Sequence, residues 1–237
     1  VDAYRVSSAH QDDEIVLNNL KAMIATKCIE LATESIPGCV LQLYVFLRNR
    51  EEAGKYALAS IIISALTTGY TSAMIAFDMD VDVPHRKSQP AFYGYLPDDN
   101  SLRFRCFSLM TIICTLHNLS RSVGVALLIL EDLWLAAYFV GGEVLLFLVV
   151  KIIRRDIYWF IRLEGALAIL AATIERPIIK LIVDFSGCFH FRHPCECGGL
   201  GFFLSLIWAQ VMPFVALHLC RNDHKDNVID TIAIALT

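Results

Sequence analysis

The chain has 237 residues, 56% of them hydrophobic and 19% charged, and a mean hydropathy of +0.55. Soluble domains carry about 25% charged residues, and here charge is absent over whole helix lengths, which argues against a soluble helical core. A net charge of −4 gives no electrostatic footprint for nucleic acid.

Residues 1–21 are polar, with Asp12, Asp13, Glu14, Asn18 and Asn19, and read as an N-terminal linker. The chain opens on Val1 without the basic start and apolar stretch of a signal peptide, as expected of a piece of a longer protein. A membrane helical domain is expected over residues 22–220. Its first segment, Ala22–Leu47, carries Lys27, Glu30 and Glu34 and holds Ser35-Ile36-Pro37-Gly38 in its middle. Proline removes a donor there and glycine loosens the backbone, so this segment either spans or dips in as two re-entrant half-helices. The second, Tyr56–Phe77, runs 22 residues without Asp, Glu, Lys, Arg or His. A bilayer crossing takes roughly 20 apolar residues. Third is Cys106–Leu130 with His117 and Arg121, and fourth is Leu133–Val150 with Glu143. The fifth, Ile157–Val183, contains Arg162, Glu164, Glu175, Arg176 and Lys180, and spaces Gly165, Ala168 and Ala172 for close helix approach. The sixth, Phe202–Leu219, overlaps 20 charge-free residues from Gly198 to Leu217. Residues 221–237 form a tail or the start of a truncated element, since Val228–Leu236 turns apolar again. The expected fold class is all-α, a polytopic helical membrane protein of about six segments.

Basic residues in short loops set the orientation. Arg5, Lys21, Arg86, Lys87, Arg103, Lys151, Arg154, Arg155, Arg221 and Lys225 fall on one side; Arg48, Arg50, Lys55 and Arg192 fall on the other. Both termini are then cytoplasmic. Tyr93, Tyr95, Tyr138, Tyr158 and Trp159 are expected near the interfaces as an aromatic belt.

The informative feature is the set of ionisable groups inside the segments, each costing about 2.5–3.5 kcal/mol at a helix centre on insertion scales. Glu30 and Glu34 are four residues apart and share a helix face. Lys27 on that face, or Arg121 from the third segment, is the expected counter-charge. Two readings stand side by side. One is a buried ion pair that fixes helix register. The other is a polar substrate track through Glu30, Glu34, Gln42, Arg121 and Glu143. Glu175-Arg176 ahead of Pro177 reads as a local pair beside a kink.

Cys188, His190, His193, Cys195 and Cys197 are metal-ligand types in one loop, but only Glu196 separates the last two cysteines, against the two to four residues usual in zinc sites. Free thiols, a disulfide and a metal remain open for that loop. Cys28, Cys39, Cys106 and Cys114 read as small packing residues. Asp78, Asp80 and Asp82 alternate like a calcium loop, yet Val83 and Gln89 stand where glycine and glutamate are required, so a solvated acidic loop is expected. Asn118-Leu119-Ser120 lies inside a segment and is no glycosylation acceptor. Lys180 has no evident aromatic pocket for retinal. Hydrolase, zinc-protease and phosphate-loop signatures are missing, so neither an enzyme nor a bound cofactor is expected.

The stretch Glu34-Ser35-Ile36-Pro37-Gly38-Cys39-Val40-Leu41-Gln42-Leu43-Tyr44 resembles the XK-related membrane proteins, whose pattern is Glu-Ser-x-Pro-Gln-Leu-x-Leu-Gln-x-Tyr. Glu34, Ser35, Pro37, Leu41, Gln42 and Tyr44 match; Gly38 and Cys39 depart. The charge-free second segment and the Arg121 helix with Val125-Ala126-Leu127-Leu128 are similar in order and spacing. The resemblance implies a helical membrane protein covering the family's middle and later part, with membrane lipids as partners. For some members it implies phospholipid scrambling between leaflets. Two other classes compete on the residues alone. One is a small-solute or ion transporter or channel, favoured by the broken first segment. The other is a non-transporting sensory or scaffolding module of a larger chain, with a second copy or further domains as partners.

Overall fold

The computed structural model describes residues 13–49, 54–88, 93–153, 178, 180–182, 184–187 and 199–220. Helices account for nearly all of them, and no strand occurs among the described residues. In chain order they are α1 (Asp13–Glu30), a π turn (Leu31–Ser35), α2 (Ile36–Arg48), α3 (Lys55–Val81), α4 (Val83–Ser88), α5 (Asn100–Glu131), α6 (Leu133–Ile153) and α7 (Gly199–Cys220). The chain is helical again at 178, 180–182 and 184–186, next to the end of the fifth expected segment, most of which lies outside the described residues. By length and composition α3 and α5 are long and apolar enough to cross a membrane, and shorter apolar stretches, Leu133–Val149 and Ile207–His218, lie in α6 and α7.

The first segment is helical throughout, from Asp13 to Arg48. Residues Asp13 to Lys21, read as linker, already belong to α1. The Pro37-Gly38 break does not turn the chain back. Glu30, Ser35 and Ile36 all keep right-handed helical dihedrals, and the Ile36 N–H reaches back five residues to the Leu31 carbonyl. Widening the turn ahead of Pro37 relieves the clash that its ring would make with an α-helical carbonyl four residues earlier. The extra residue also resets the register. Leu31 and Ile36, five apart, are both buried, and α-helical spacing then resumes through Cys39 and Leu43.

α5 is the axis of the bundle, packing against α2, α3, α6 and α7. Its seam with α3 is made of small residues. Ala65, Gly69, Ser72, Ala73 and Ala76 on α3 are all buried, and a Cβ built on Gly69 would lie 2.6 Å from the Thr115 amide nitrogen and 2.7 Å from its Cα. Gly69 therefore lets the α3 backbone lie directly against Thr115, side chain and backbone alike, where no added Cβ would fit. Phe107 of α5 meets Tyr70 and Phe77 of α3 edge-on, at centroid distances of 5.5 and 5.4 Å.

At one end of that seam the acidic stretch is not a solvated loop, since Asp78 and Asp80 close the last turns of α3. Asp80 is 2% exposed and its carboxylate accepts from the amides of Gly94, Tyr95 and Leu96 at 3.0, 3.2 and 2.8 Å. Arg86 spans the same loop, donating to the Asp80 and Leu96 carbonyls and pairing with Asp98, which also pairs with Arg103. Gly94 allows the fold-back with φ of +93°. Tyr93, expected in an interfacial belt, is instead buried against Ile75 and Met79 in a core cluster. Tyr95 and Tyr138 are exposed, and Tyr158 and Trp159 lie outside the described residues.

Candidate functional site

A proline in α7 sets up the centre of the bundle. Pro213 stands four residues after Ala209 and has no N–H, so the Ala209 carbonyl loses its helical donor. Arg121 of α5 supplies the missing donor, its Nη1 lying 2.8 Å from that oxygen. Three residues on, Gly124 makes room for the proline ring: a Cβ there would lie 2.7 Å from the Pro213 Cβ. One face of α5 thus carries both answers to one kink, a gap for its ring and a donor for its carbonyl.

The other arm of Arg121 forms an ion pair with Glu143 of α6 through Nη2 and Oε2. Both side chains are almost fully buried, at 1% and 5% exposure. The guanidinium lies 5.4 Å from the ring centroids of Phe139 and Phe185. Arg121 Nε and Glu143 Oε1 find no hydrogen-bond partner among the described residues, so the pair is joined by one bond rather than a two-bond fork.

A second pair adjoins it. Lys180 and Asp184 form an ion pair, and Lys180 Nζ lies 5.9 Å from the centroid of Phe147 on α6. Glu143 is within electrostatic reach of both. Phe139, Glu143 and Phe147 are spaced by four and so make one stripe of α6, offering ring, carboxylate and ring to two cations. His117 of α5 bridges the neighbouring elements. Its Nε2 lies 2.8 Å from the Asp184 carbonyl, which can only accept, so Nε2 carries the proton. Its Nδ1 then accepts from Gln210 Nε2 of α7 at 2.7 Å. On the adjoining face of α5, Asn118 reaches the Cys39 sulfur and Ser122 donates to Asn118. Cys39 and Cys114 are fully buried packing residues, and Cys114 donates to the Gly187 carbonyl.

The five residues of the expected track therefore fall into two groups. Arg121 and Glu143 come together inside. Glu34 and Gln42 are exposed on the outer face of the first segment, and Glu30 is half-exposed in a 2.7 Å pair with Lys27 one turn earlier. Lys27, not Arg121, is thus the counter-charge of Glu30. Thr26 and Thr33 are also exposed, so this face carries polar groups from Thr26 to Gln42, interleaved with the exposed Ile29, Pro37 and Leu41, over a span of about 24 Å at helical rise. Its reverse face is the buried Leu31-Ile36-Cys39-Leu43 stripe.

Sequence reasoning missed Asp184, Gln210 and the Ala209 carbonyl. The carbonyl had a signal, since any helical proline orphans the oxygen four residues before it. The other two are brought in by packing between distant elements and leave no periodic trace. No group of three or more His, Cys, Asp or Glu is placed to hold a metal among the described residues, and the Cys188, His190, His193, Cys195 and Cys197 loop lies outside them. Comparison with family models, with curated proteins and with solved structures returns no match for this chain.

Proposed function

We propose that this chain is a multi-pass membrane protein, similar to the XK-related proteins, that moves phospholipids between leaflets. The observation that carries the reading is the exposed polar face of the first segment. A carboxylate and an amide at Glu34 and Gln42 point away from the bundle on a helix whose reverse side is apolar core. Ionisable groups at membrane depth are costly and mark substrate paths. A strip of about 24 Å approaches the roughly 30 Å thickness of the hydrocarbon layer. A headgroup moving along it keeps its acyl tails in lipid, so the path needs no closed pore. Of the residues that match the family's pattern, Glu34, Pro37, Leu41 and Gln42 are exposed on this side of the helix.

The test is lipid exchange in proteoliposomes carrying a fluorescent lipid in both leaflets, quenched from outside by an impermeant reductant. The parent is expected to quench beyond the outer-leaflet fraction, with Glu34→Gln and Gln42→Leu slower at equal protein insertion. Quenching that stops at the outer leaflet for the full-length protein sinks the lipid reading. The enclosed charges of Arg121, Glu143, Lys180 and Asp184 favour a second reading, a path for a small ion or solute. Under it, exchange of solute survives Glu34→Gln and fails in Glu143→Gln.

A further inference from the structure

We infer that the second half of α6 is a hinged lid, closed over the buried charges by the Glu143–Arg121 bond. Four observations converge on it. The first is the adjacent pair Gly141-Gly142, which sits immediately before Glu143. Both are exposed, and a Cβ on either would meet nothing within 4 Å. Neither a close helix nor a left-handed φ requires glycine there, in contrast to Gly69, Gly124 and Gly187. What remains is the conformational looseness of two consecutive glycines in a helix.

The second observation is the distribution of burial along α6. Ala136, in a cluster with Leu127, Leu128 and Leu217, anchors the first half. Beyond the glycines, Glu143 is the one buried side chain among the described residues of α6. Leu145, Leu146, Val149, Ile152 and Ile153 are exposed. Among the described residues, the named contacts of the half after the hinge are the Glu143–Arg121 pair and the Phe147–Lys180 contact, and Val144, Phe147 and Leu148 are only half-buried.

Third, the closing bond is incomplete. Arg121 Nε and Glu143 Oε1 are both buried without partners among the described residues, and each such group carries a desolvation penalty that a second bond would have offset. The closed state is therefore shallower than a forked arginine–carboxylate pair. Fourth, Arg121 does not depend on the lid. It keeps the Ala209 carbonyl and the Phe185 ring when Glu143 leaves, so opening uncovers a cation that is already in place.

Ten residues beyond Gly142 form a lever of about 15 Å, and a kink of about 20° moves its tip by about 5 Å. The inference rests on the membrane placement proposed above and not on phospholipid as cargo. Its test is a pair of encoded, non-cysteine spin labels on the exposed sites Leu109 of α5 and Ile152 of α6, in lipid nanodiscs. The parent should give a broad or two-component distance distribution. Glu143→Gln should shift it by several ångströms toward the open component, on the scale of the lever above. Gly141→Ala with Gly142→Ala, which touches no buried charge and keeps the test sharp if Glu143→Gln folds poorly, should collapse it to one component. A control pair on Leu109 and Tyr138, before the hinge, should stay narrow throughout. A single narrow Ile152 distribution unchanged by the glycine substitutions overturns the lid, and so does a Tyr138 distribution that broadens equally. Two-component distances together with absent lipid exchange would sink the lipid reading and leave the lid standing.

Discussion

The seam between α3 and α5 and the attachment of α6 join helices of similar apolar character by opposite means. On the seam, Gly69 brings backbone against backbone at Thr115, and small side chains continue the contact through Ser72, Ala73 and Ala76. Shape does the holding, and there is one geometry that fits. On α6, glycines again interrupt an apolar helix, yet a Cβ added to either would meet nothing within 4 Å, and the next residue is a carboxylate held in an ion pair. Beyond the apolar anchor at Ala136, the buried contact is a charge pair. The same residue type therefore marks a close helix contact in one place and open space in another. Only the surroundings of the missing Cβ distinguish them.

The largest effect is expected from breaking the charge-held contact on one side. Arg121→Met leaves Glu143 buried without its counter-charge and the Ala209 carbonyl without a donor. Removing one member of a buried pair costs about 3–5 kcal/mol, read as a drop in thermal unfolding temperature in detergent micelles. Adding Glu143→Leu should recover much of it, because two apolar side chains leave no orphaned charge. A double variant as unstable as the single would mean that the carbonyl, and not the ion pair, carries the cost.

Next comes the shape-held contact. Gly69→Ala forces α3 and α5 apart at backbone atoms that cannot step aside, and overpacking of this kind costs about 1–3 kcal/mol or more. Gly141→Ala with Gly142→Ala should leave unfolding unchanged or slightly raised, since alanine is the better helix former. Equal losses at both places would erase the distinction between seam and lid. A smaller, local effect is expected at the end of the seam. Asp80→Asn removes the charge from an acceptor of three amides, at about 1.5–3 kcal/mol for bonds to a charged group. Faster hydrogen exchange at Gly94, Tyr95 and Leu96 with little change in global unfolding would confirm a loop clamp. Unaltered exchange would show that Arg86 holds the loop alone.

What could be read from the sequence follows from period and composition. The stretches Ala22–Leu47, Tyr56–Phe77, Cys106–Leu130, Leu133–Val150 and Phe202–Leu219 all fall inside helices, as apolar runs of helix length lead one to expect. Arg121 and Glu143 were recognisable as costly charges, but their pairing was not, since 22 residues and a helical hairpin separate them. Asp80 misled for a related reason. Three alternating aspartates look solvated until a glycine-bearing loop, 14 to 16 residues later, folds its amides onto one of them. The exposed face of Glu34 and Gln42 depended on the π turn, which moves the register by one residue and which no α-helical periodicity anticipates.

That register offers the smallest and most discriminating test. Gly38 follows Pro37 directly, and the two together make the break at which the sequence allows a chain reversal. In the structure it has no positive φ and its added Cβ would meet nothing within 4 Å. Gly38→Ala should therefore raise stability by up to about 1 kcal/mol through helix propensity, with lipid exchange unchanged. Pro37→Ala is the informative partner. It restores an N–H for a carbonyl one turn back and removes the ring that the widened turn accommodates. If the π turn is imposed by proline alone, the chain is free to return to α spacing, and Ile36 and Cys39 can no longer share the buried face with Leu31. On the proposed function, Glu34 then rotates relative to the lipid, and exchange should fall while the fold persists. If tertiary packing of Leu31 and Ile36 imposes the turn, Pro37→Ala leaves both the register and the exchange rate as they were. The polar strip is then a property of the bundle and not of the proline.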